Sequence, residues 1–197
     1  MTTDLSEINF KGDNPGADLT ISLLEFFKQN VCQADTRCNF LGIDIDPTLI
    51  TRAKEIDKYP DSVEFQCLDI MDDTQSTLIQ DYLQQFNKSR FNISFCFSIT
   101  MWIHLNHGDD GLKRFLTMVC DHSDIVVVEP QPWKCYKTAV KRLKLSNSQF
   151  PLFSELKHRQ DVETFIENTL KQDCAFVKVA ETPPSTWGRR ILFYERE

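Results

Sequence analysis

The run Phe91-Asn92-Ile93-Ser94-Phe95-Cys96-Phe97 stops at Ser98-Ile99-Thr100-Met101-Trp102-Ile103-His104-Leu105-Asn106-His107-Gly108-Asp109. A second run, Ile125-Val126-Val127-Val128-Glu129, stops at Pro130-Gln131-Pro132-Trp133-Lys134. Each run is rich enough in β-branched or aromatic residues to be a buried strand, and each hands over to polar, aromatic and basic side chains. In an open α/β sheet, ligands bind outside the carboxyl ends of the strands. Two consecutive strand ends loaded in this way read as two walls of one site.

Outward from these runs, strand and helix signals alternate. Leu19, Ile21, Leu23, Leu24, Phe26 and Phe27 crowd a segment that fits a buried helix from Asp18 onward. Asn39 to Ile45 reads as a buried strand ended by Asp46-Pro47, with Pro47 at the favoured first position of a helix through about Ile56. Val63 to Leu68 alternates apolar and polar and stops at Asp69; Leu78, Tyr82, Leu83 and Phe86 then take helical spacing. Leu112, Phe115, Leu116 and Val119 mark a further helical face, and Asp161 to Lys171 another helix. Phe176 to Ala180 and Arg190 to Tyr194 read as strands, joined by Thr182-Pro183-Pro184-Ser185-Thr186-Trp187-Gly188, a connection that suits an antiparallel pair. Repeated alternation predicts a doubly wound α/β fold, a mostly parallel sheet with an antiparallel final strand. By analogy, that arrangement is Rossmann-like and matches the methyltransferases of that class.

With 197 residues and 41% of them hydrophobic, the chain can bury one substantial core, so a single domain over 1–197 is expected, with residues 1–17 a frayed N-terminus. A net charge of -7 excludes a strongly basic nucleic-acid coat, so any RNA has to be held by a local patch. Seven cysteines without a C-x-x-C pair point to reduced, mostly buried thiols and to no metal site. No segment has the make-up of a signal peptide or membrane span, so a cytoplasmic or nuclear protein is expected.

Asp44 closes its strand where a Rossmann-type site places an acid against a ribose, while Asp46 suits the helix cap. Asp69 could accept the exocyclic amine of an adenine with Ile70 over the ring, or belong to a solvated turn with Asp72 and Asp73. A loop for close backbone approach should precede Asp44. Its candidate is Gly12-Asp13-Asn14-Pro15-Gly16, which is equally an ordinary turn, and Glu7 to Lys11 before it makes a poor central strand. In the stretch after Phe97, Thr100, Trp102, His104 and Asn106 alternate with Met101, Ile103 and Leu105, so an extended chain would present the polar set together. Gly108 to Gly111 would then cap the next helix. An imidazole at His104 could be a base, a phosphate donor or a satisfied structural group. Lys134 offers a charge for phosphate, and Trp133 or Tyr136 a stacking face for a base.

These residues resemble the bicoid-interacting family of RNA 5′-phosphate methyltransferases. The resemblance rests on Ser98-Ile99-Thr100-Met101-Trp102-Ile103-His104-Leu105-Asn106, on Gly108-Asp109-Asp110-Gly111-Leu112 and on Glu129-Pro130-Gln131-Pro132-Trp133-Lys134. Within the family the pattern is most similar to the branch that methylates the 5′-monophosphate of small RNAs such as tRNA and precursor microRNA. The resemblance implies a class I fold dependent on S-adenosyl-L-methionine. It also implies that Asp44 holds the cofactor ribose, Asp69 and Ile70 the adenine, and Phe97 the methionine end. Gly12, Asn14 and Gly16 then stand for the family's Gly-Cys-Asn-x-Gly loop. Two departures fall nearby: Phe10 replaces the family's acidic residue, and an extra residue follows Gly16. With no counterpart to the family's Tyr- and Arg-containing upstream segment, a first strand and N-terminal segment less complete than the family's are expected, with weakened cofactor affinity.

On this reading the partner is a small RNA with a 5′ phosphate. Lys134 and His104, with Arg189 or Arg190, would position that phosphate; Trp102 or Trp133 would pack the first nucleotide, and Asn106 and Gln131 complete the polar set. A catalytically weak member that acts as an RNA-end or protein-binding module is the alternative. A third reading keeps the enzyme class and changes the substrate to a protein or small molecule.

Overall fold

The computed structural model describes residues 17–32, 37–145 and 147–197. They divide into two compact units, the first ending at Thr77 and the second Leu78–Glu197. Gly12, Asn14 and Gly16, together with the candidate strand at Glu7 to Lys11, lie outside the described residues.

In the first unit, α1 (Ala17–Asn30) precedes β1 (Phe40–Asp44), α2 (Pro47–Ile56) and β2 (Val63–Cys67). β1 and β2 pair in parallel, from Phe40 opposite Val63 to Asp44 opposite Cys67. Both carboxyl ends, and therefore Asp44 and Asp69, come to the same edge of this two-stranded sheet. Pro47 opens α2 as its spacing predicts, and Asp46 caps it by accepting the Thr48 N–H at 2.8 Å. Ile21, Leu24, Ile50, Ala53, Val63 and Phe65 make the core. A β-carbon at Gly42 would lie 2.6 Å from Phe65 Cδ1, so the aromatic ring packs directly on bare β1 backbone.

The cysteines depart from expectation both in pairing and in burial. Cys32 and Cys38 are joined as a disulfide, while Cys67, Cys96, Cys120, Cys135 and Cys174 are free. Separated by six positions at the end of α1 and before β1, the bonded pair closes a short loop at small entropic cost. Cys96 and Cys120 are buried, but Cys67 is exposed. Burial pushes the Cys96 thiol up to about 12, where it is inert.

α3 (Ser76–Gln85) crosses the division between the units. The second unit continues with β3 (Phe91–Phe97), α4 (Thr100–Asp121), β4 (Ser123–Glu129), α5 (Trp133–Leu145), α6 (Val162–Asn168), β5 (Phe176–Glu181) and β6 (Leu192–Arg196). Its sheet has the order β3-β4-β6-β5. β3 and β4 are parallel, with Phe91 opposite Ser123 and Phe97 opposite Glu129. β6 inserts antiparallel beside β4, pairing Val128 with Leu192, and β5 runs antiparallel on its other side. The antiparallel end expected from the terminal turn is therefore present. Val126, Val127 and Val128 are buried, as the apolar run at a central position requires. The helix expected from Asp161 to Lys171 is α6 followed by a π-helical turn at Thr169–Asp173.

The stretch after β3 also departs from expectation. The stretch from Thr100 to Asn106 is helix, not extended chain. Met101, His104 and Leu105 before Gly108, and Leu112, Phe115, Leu116 and Val119 after it, are all buried, and in each part spacing of three and four gives one apolar helical face. The two-residue alternation of Trp102, His104 and Asn106 was incidental to this longer period, which makes far more buried contact. Gly108, with φ 73 and ψ -173, interrupts α4 and gives it two segments.

Candidate active site

In the second unit, the ends of β3 and β4 are tied together by hydrogen bonds between residues about thirty-one positions apart. Ser98 Oγ donates to Glu129 Oε2 at 2.6 Å. Gln131 Oε1 accepts from Thr100 Oγ1 at 3.0 Å and from the Met101 N–H at 3.1 Å. The Ile99 side chain offers no cap to α4, so the amide of Gln131, reaching from the next strand end, satisfies an orphan N–H of its first turn. The parallel register of β3 on β4 thus continues past the strands into the start of both following helices. Ser98 adopts φ 53, an uncommon conformation for a residue with a side chain, and this turns its hydroxyl toward Glu129.

Arg189 joins this cluster from the β5–β6 connection. Its Nη1 donates to Ser98 Oγ at 2.9 Å and lies 3.5 Å from Glu129 Oε2, while Nη2 reaches Cys135 Sγ at 3.8 Å. Its Nε is buried without a hydrogen-bond partner among the described residues. Arg190, equally eligible by sequence, faces the other way, bonding Glu163 and Glu181. Lys134 is exposed at the first turn of α5, and a β-carbon at Gly188 would come 3.3 Å from its Nζ. Lys134 and the neighbour of Arg189 therefore meet beside the β4 end. Trp187, next to Gly188, is 73% exposed.

His104 is sealed from solvent. Its ring is 0% exposed, with Nε2 3.0 Å from Asp109 Oδ1 and Nδ1 3.1 Å from Tyr136 Oη. An ionised carboxylate only accepts, so Nε2 carries the proton and Nδ1 accepts from the Tyr136 hydroxyl. Burial lowers the imidazole below its ordinary value, and Asp109 only partly opposes this. For Asp109 burial works against the charge, but the Lys157 N–H, His104 and the His158 N–H together hold the carboxyl below the usual range. Through those two backbone bonds, at 3.0 and 3.1 Å, Asp109 also fixes the segment before α6. The capping role expected of Gly108 to Gly111 is replaced by this cross-link. Gln131 is likewise buried with its oxygen committed to α4. His104, expected on the phosphate, and Gln131, expected in the polar set around it, both hold backbone in place through these hydrogen bonds.

The aromatic residues divide. Trp133 is half-buried, its ring stacked on Phe153 at 5.4 Å, tilted against Tyr136 at 5.0 Å and carrying the Arg159 guanidinium at 5.9 Å. Trp102 is exposed on α4 with Phe150 beside it at 6.1 Å, and the Asn106 amide is bonded to the Trp102 carbonyl. Phe97 ends β3, half-buried and beside Phe95. Sequence reasoning overlooked Asp109 as the partner of His104 and Gln131 as a remote cap. The signal for the first was an acid five residues along with a glycine between; the second had no local signal.

In the first unit, Asp44 Oδ1 accepts the Asp46 N–H at 2.9 Å and its backbone carbonyl accepts the Leu68 N–H. The second carboxylate oxygen of a half-buried strand-end acid is chemically suited to ribose hydroxyls. Asp69 Oδ1 accepts the Met71 N–H at 2.9 Å, so it does take part in a turn, with Ile70 half-buried beside it. Ile45 is exposed between Asp44 and Asp46, an apolar side chain at a strand end. Among the described residues, no helix is long and apolar enough to cross a membrane, and no group of His, Cys, Asp and Glu could hold a metal ion.

Parallel strands with their acids and polar clusters at the carboxyl ends, and an antiparallel last strand inserted beside β4, define the Rossmann-like methyltransferase fold. A crystal structure of a SAM-dependent methyltransferase from Methanosarcina mazei is 15% identical with a TM-score of 0.54, over 92% of this chain and 88% of that one. The sequence model of Bicoid-interacting protein 3 (Bin3) matches residues 91–196, and the chain belongs to that family. It is 38% identical to the pre-miRNA 5′-monophosphate methyltransferase of Danio rerio, over 94% of this chain and 75% of that protein. With the pre-miRNA 5′-monophosphate methyltransferase of Xenopus laevis it shares 40% identity, over 93% of this chain and 73% of the relative.

Proposed function

We propose that this chain transfers a methyl group from S-adenosyl-L-methionine to an oxygen of the 5′-monophosphate of a small RNA. The observation that carries the reading is the pair of cations at the β4 end: Lys134 beside Gly188, and Arg189 anchored by Ser98 and Glu129 with its Nε unpartnered among the described residues. The names of the relatives support the choice of RNA 5′-monophosphate as the acceptor. Their match extends through both compact units, which supports reading the two as parts of one methyltransferase domain.

The chemistry asks little of the protein beyond placement. The cofactor supplies a methyl group already activated on a sulfonium. A phosphate oxygen is an anion at neutral pH, so no side chain has to remove a proton. What remains is alignment and charge balance. Arg189 and Lys134 neutralise the phosphate, with the guanidinium orientation set by Glu129. Trp102, open to solvent on α4, packs the first nucleotide. Asp44 binds the ribose of the cofactor and Asp69 with Ile70 its adenine.

The test is label transfer from methyl-labelled S-adenosylmethionine to one RNA hairpin prepared with either a 5′-monophosphate or a 5′-hydroxyl. Label in the phosphorylated RNA alone is expected. Label in both forms, or in neither, overturns the reading.

A further inference from the structure

α5 carries Lys134, Lys137, Lys141, Arg142 and Lys144 and no acidic residue, in a chain whose net charge is -7. Tyr136, Ala139 and Val140 hold its buried face. All five cations are exposed, and among the described residues none is engaged by a carboxylate. At 3.6 residues per turn, Lys134, Lys137, Lys141 and Lys144 fall within an arc of about 80° and span about 15 Å. They form a stripe along the helix. Such a cluster repels itself and repays nothing in stability, because among the described residues each side chain lacks an ion-pair partner.

We infer that this face of α5 is a second RNA contact: a docking strip for the phosphodiester backbone of a double-helical stem in the substrate. The inference rests on the function proposed above, because the stripe begins at Lys134, where the 5′ phosphate is held. An RNA whose end sits there has to pass over neighbouring surface, and most of an acidic protein repels it. α5 offers an exposed basic path that starts from that point. Surfaces for single-stranded RNA interleave cations with aromatic rings on which bases stack. The exposed face of α5 has cations, Thr138 and, at its end, Leu145, but no aromatic residue, since Tyr136 is buried and Trp133 is packed by Phe153. That composition reads backbone and shape rather than bases, which is how proteins hold A-form duplexes.

The test uses the full chain with Lys137→Glu, Lys141→Glu and Lys144→Glu combined, leaving Lys134 intact. Binding of a fluorescent 5′-monophosphorylated hairpin is followed by anisotropy over a range of salt, and methyl transfer is measured on that hairpin and on a 5′-monophosphorylated dinucleotide. Hairpin affinity should fall tenfold or more, and the slope of log affinity against log salt should shrink by about three, one for each cation removed. Transfer to the dinucleotide should be unchanged. Unaltered hairpin affinity and slope would overturn the strip, as would an equal loss on hairpin and dinucleotide, which would place the effect at the RNA end. Because anisotropy reads binding without chemistry, a chain that transfers no methyl at all would sink the proposed activity and still decide the strip. The triple Lys→Gln variant, with an intermediate loss, separates charge from any effect on folding.

Discussion

His104 Nε2 and Asp109 Oδ1 meet at 3.0 Å across the break at Gly108, so a buried imidazole and a carboxylate hold together the two segments of α4 that the glycine separates. The same carboxylate takes the N–H groups of Lys157 and His158, and the imidazole takes the Tyr136 hydroxyl from α5. Four stretches of chain therefore converge on two side chains. Trp102 lies two positions before His104 on α4, and Lys134 two positions before Tyr136 on α5, so the knot ties together the helices that carry both exposed side chains.

The knot should be acid-sensitive in a defined window. His104 is held neutral by burial, its value lowered from 6.5, so the unfolded chain takes up a proton that the folded chain refuses. Stability is then complete above 6.5 and is lost as pH falls below it. Asp109, lowered from 3.8, contributes above that value and loses its part only below it. Thermal midpoints at about pH 7.5 and about pH 5.5 should differ more for the wild type than for His104→Gln. Equal drops in both proteins would remove His104 as the source.

Gln131→Leu keeps the volume and deletes the acceptor for Thr100 and Met101. A buried donor left unpaired costs about 1–3 kcal/mol, so a destabilisation of about 2–3 kcal/mol is expected in urea titration, with the slope unchanged. Gln131→Glu, which retains an oxygen for both donors, should lose less.

Arg189 and Arg190 are adjacent but serve different sides of β6. Arg189→Ala should lower kcat/KM on 5′-monophosphorylated RNA by about tenfold to a hundredfold, the worth of one hydrogen bond to a charged group. Arg190→Ala breaks pairs with Glu163 and Glu181 at the surface, and should cost less than about 1 kcal/mol of stability with activity nearly unchanged. Equivalent activity losses would contradict the assignment of the phosphate to Arg189.

Lys134→Ala and Asp44→Ala should separate the two ligands. Calorimetry with S-adenosylmethionine is expected to show weaker binding for the Asp44 variant and wild-type binding for the Lys134 variant. Methyl transfer should fall in both. Unchanged cofactor affinity in Asp44→Ala would take Asp44 out of the cofactor site.

Gly42→Ala would set a β-carbon 2.6 Å from the Phe65 ring and 3.3 Å from Thr20 Oγ1. Since Phe65 is buried among Ile21, Leu24 and Ile50, it has little room to yield, and overpacking of about 1–3 kcal/mol is expected in thermal unfolding. A partly compensating Phe65→Leu change should recover some of that loss.

The sequence by itself determined the order of elements, the antiparallel ending and the chemistry available at each strand end. These are local properties: β-branched runs at 125–128, Asp46-Pro47 at a helix start, a Pro- and Gly-bearing turn at 182–188, and cations placed immediately after a strand. Only the tertiary structure decided which of those polar groups are sealed and which reach the surface. His104, Gln131, Lys134 and Arg189 look alike in sequence as polar residues in rich company, yet two are sealed in the core and two are left with N–H groups to give. The reason is physical: a side chain's role depends on partners brought in by the sheet register, Glu129 and Gln131 from the next strand end and Arg189 from β6's approach, some thirty to ninety residues away. The helical period of α4 was legible but masked by a short alternation, which burial of Met101, His104 and Leu105 overrode. Such contacts are set by packing, and no local pattern encodes them.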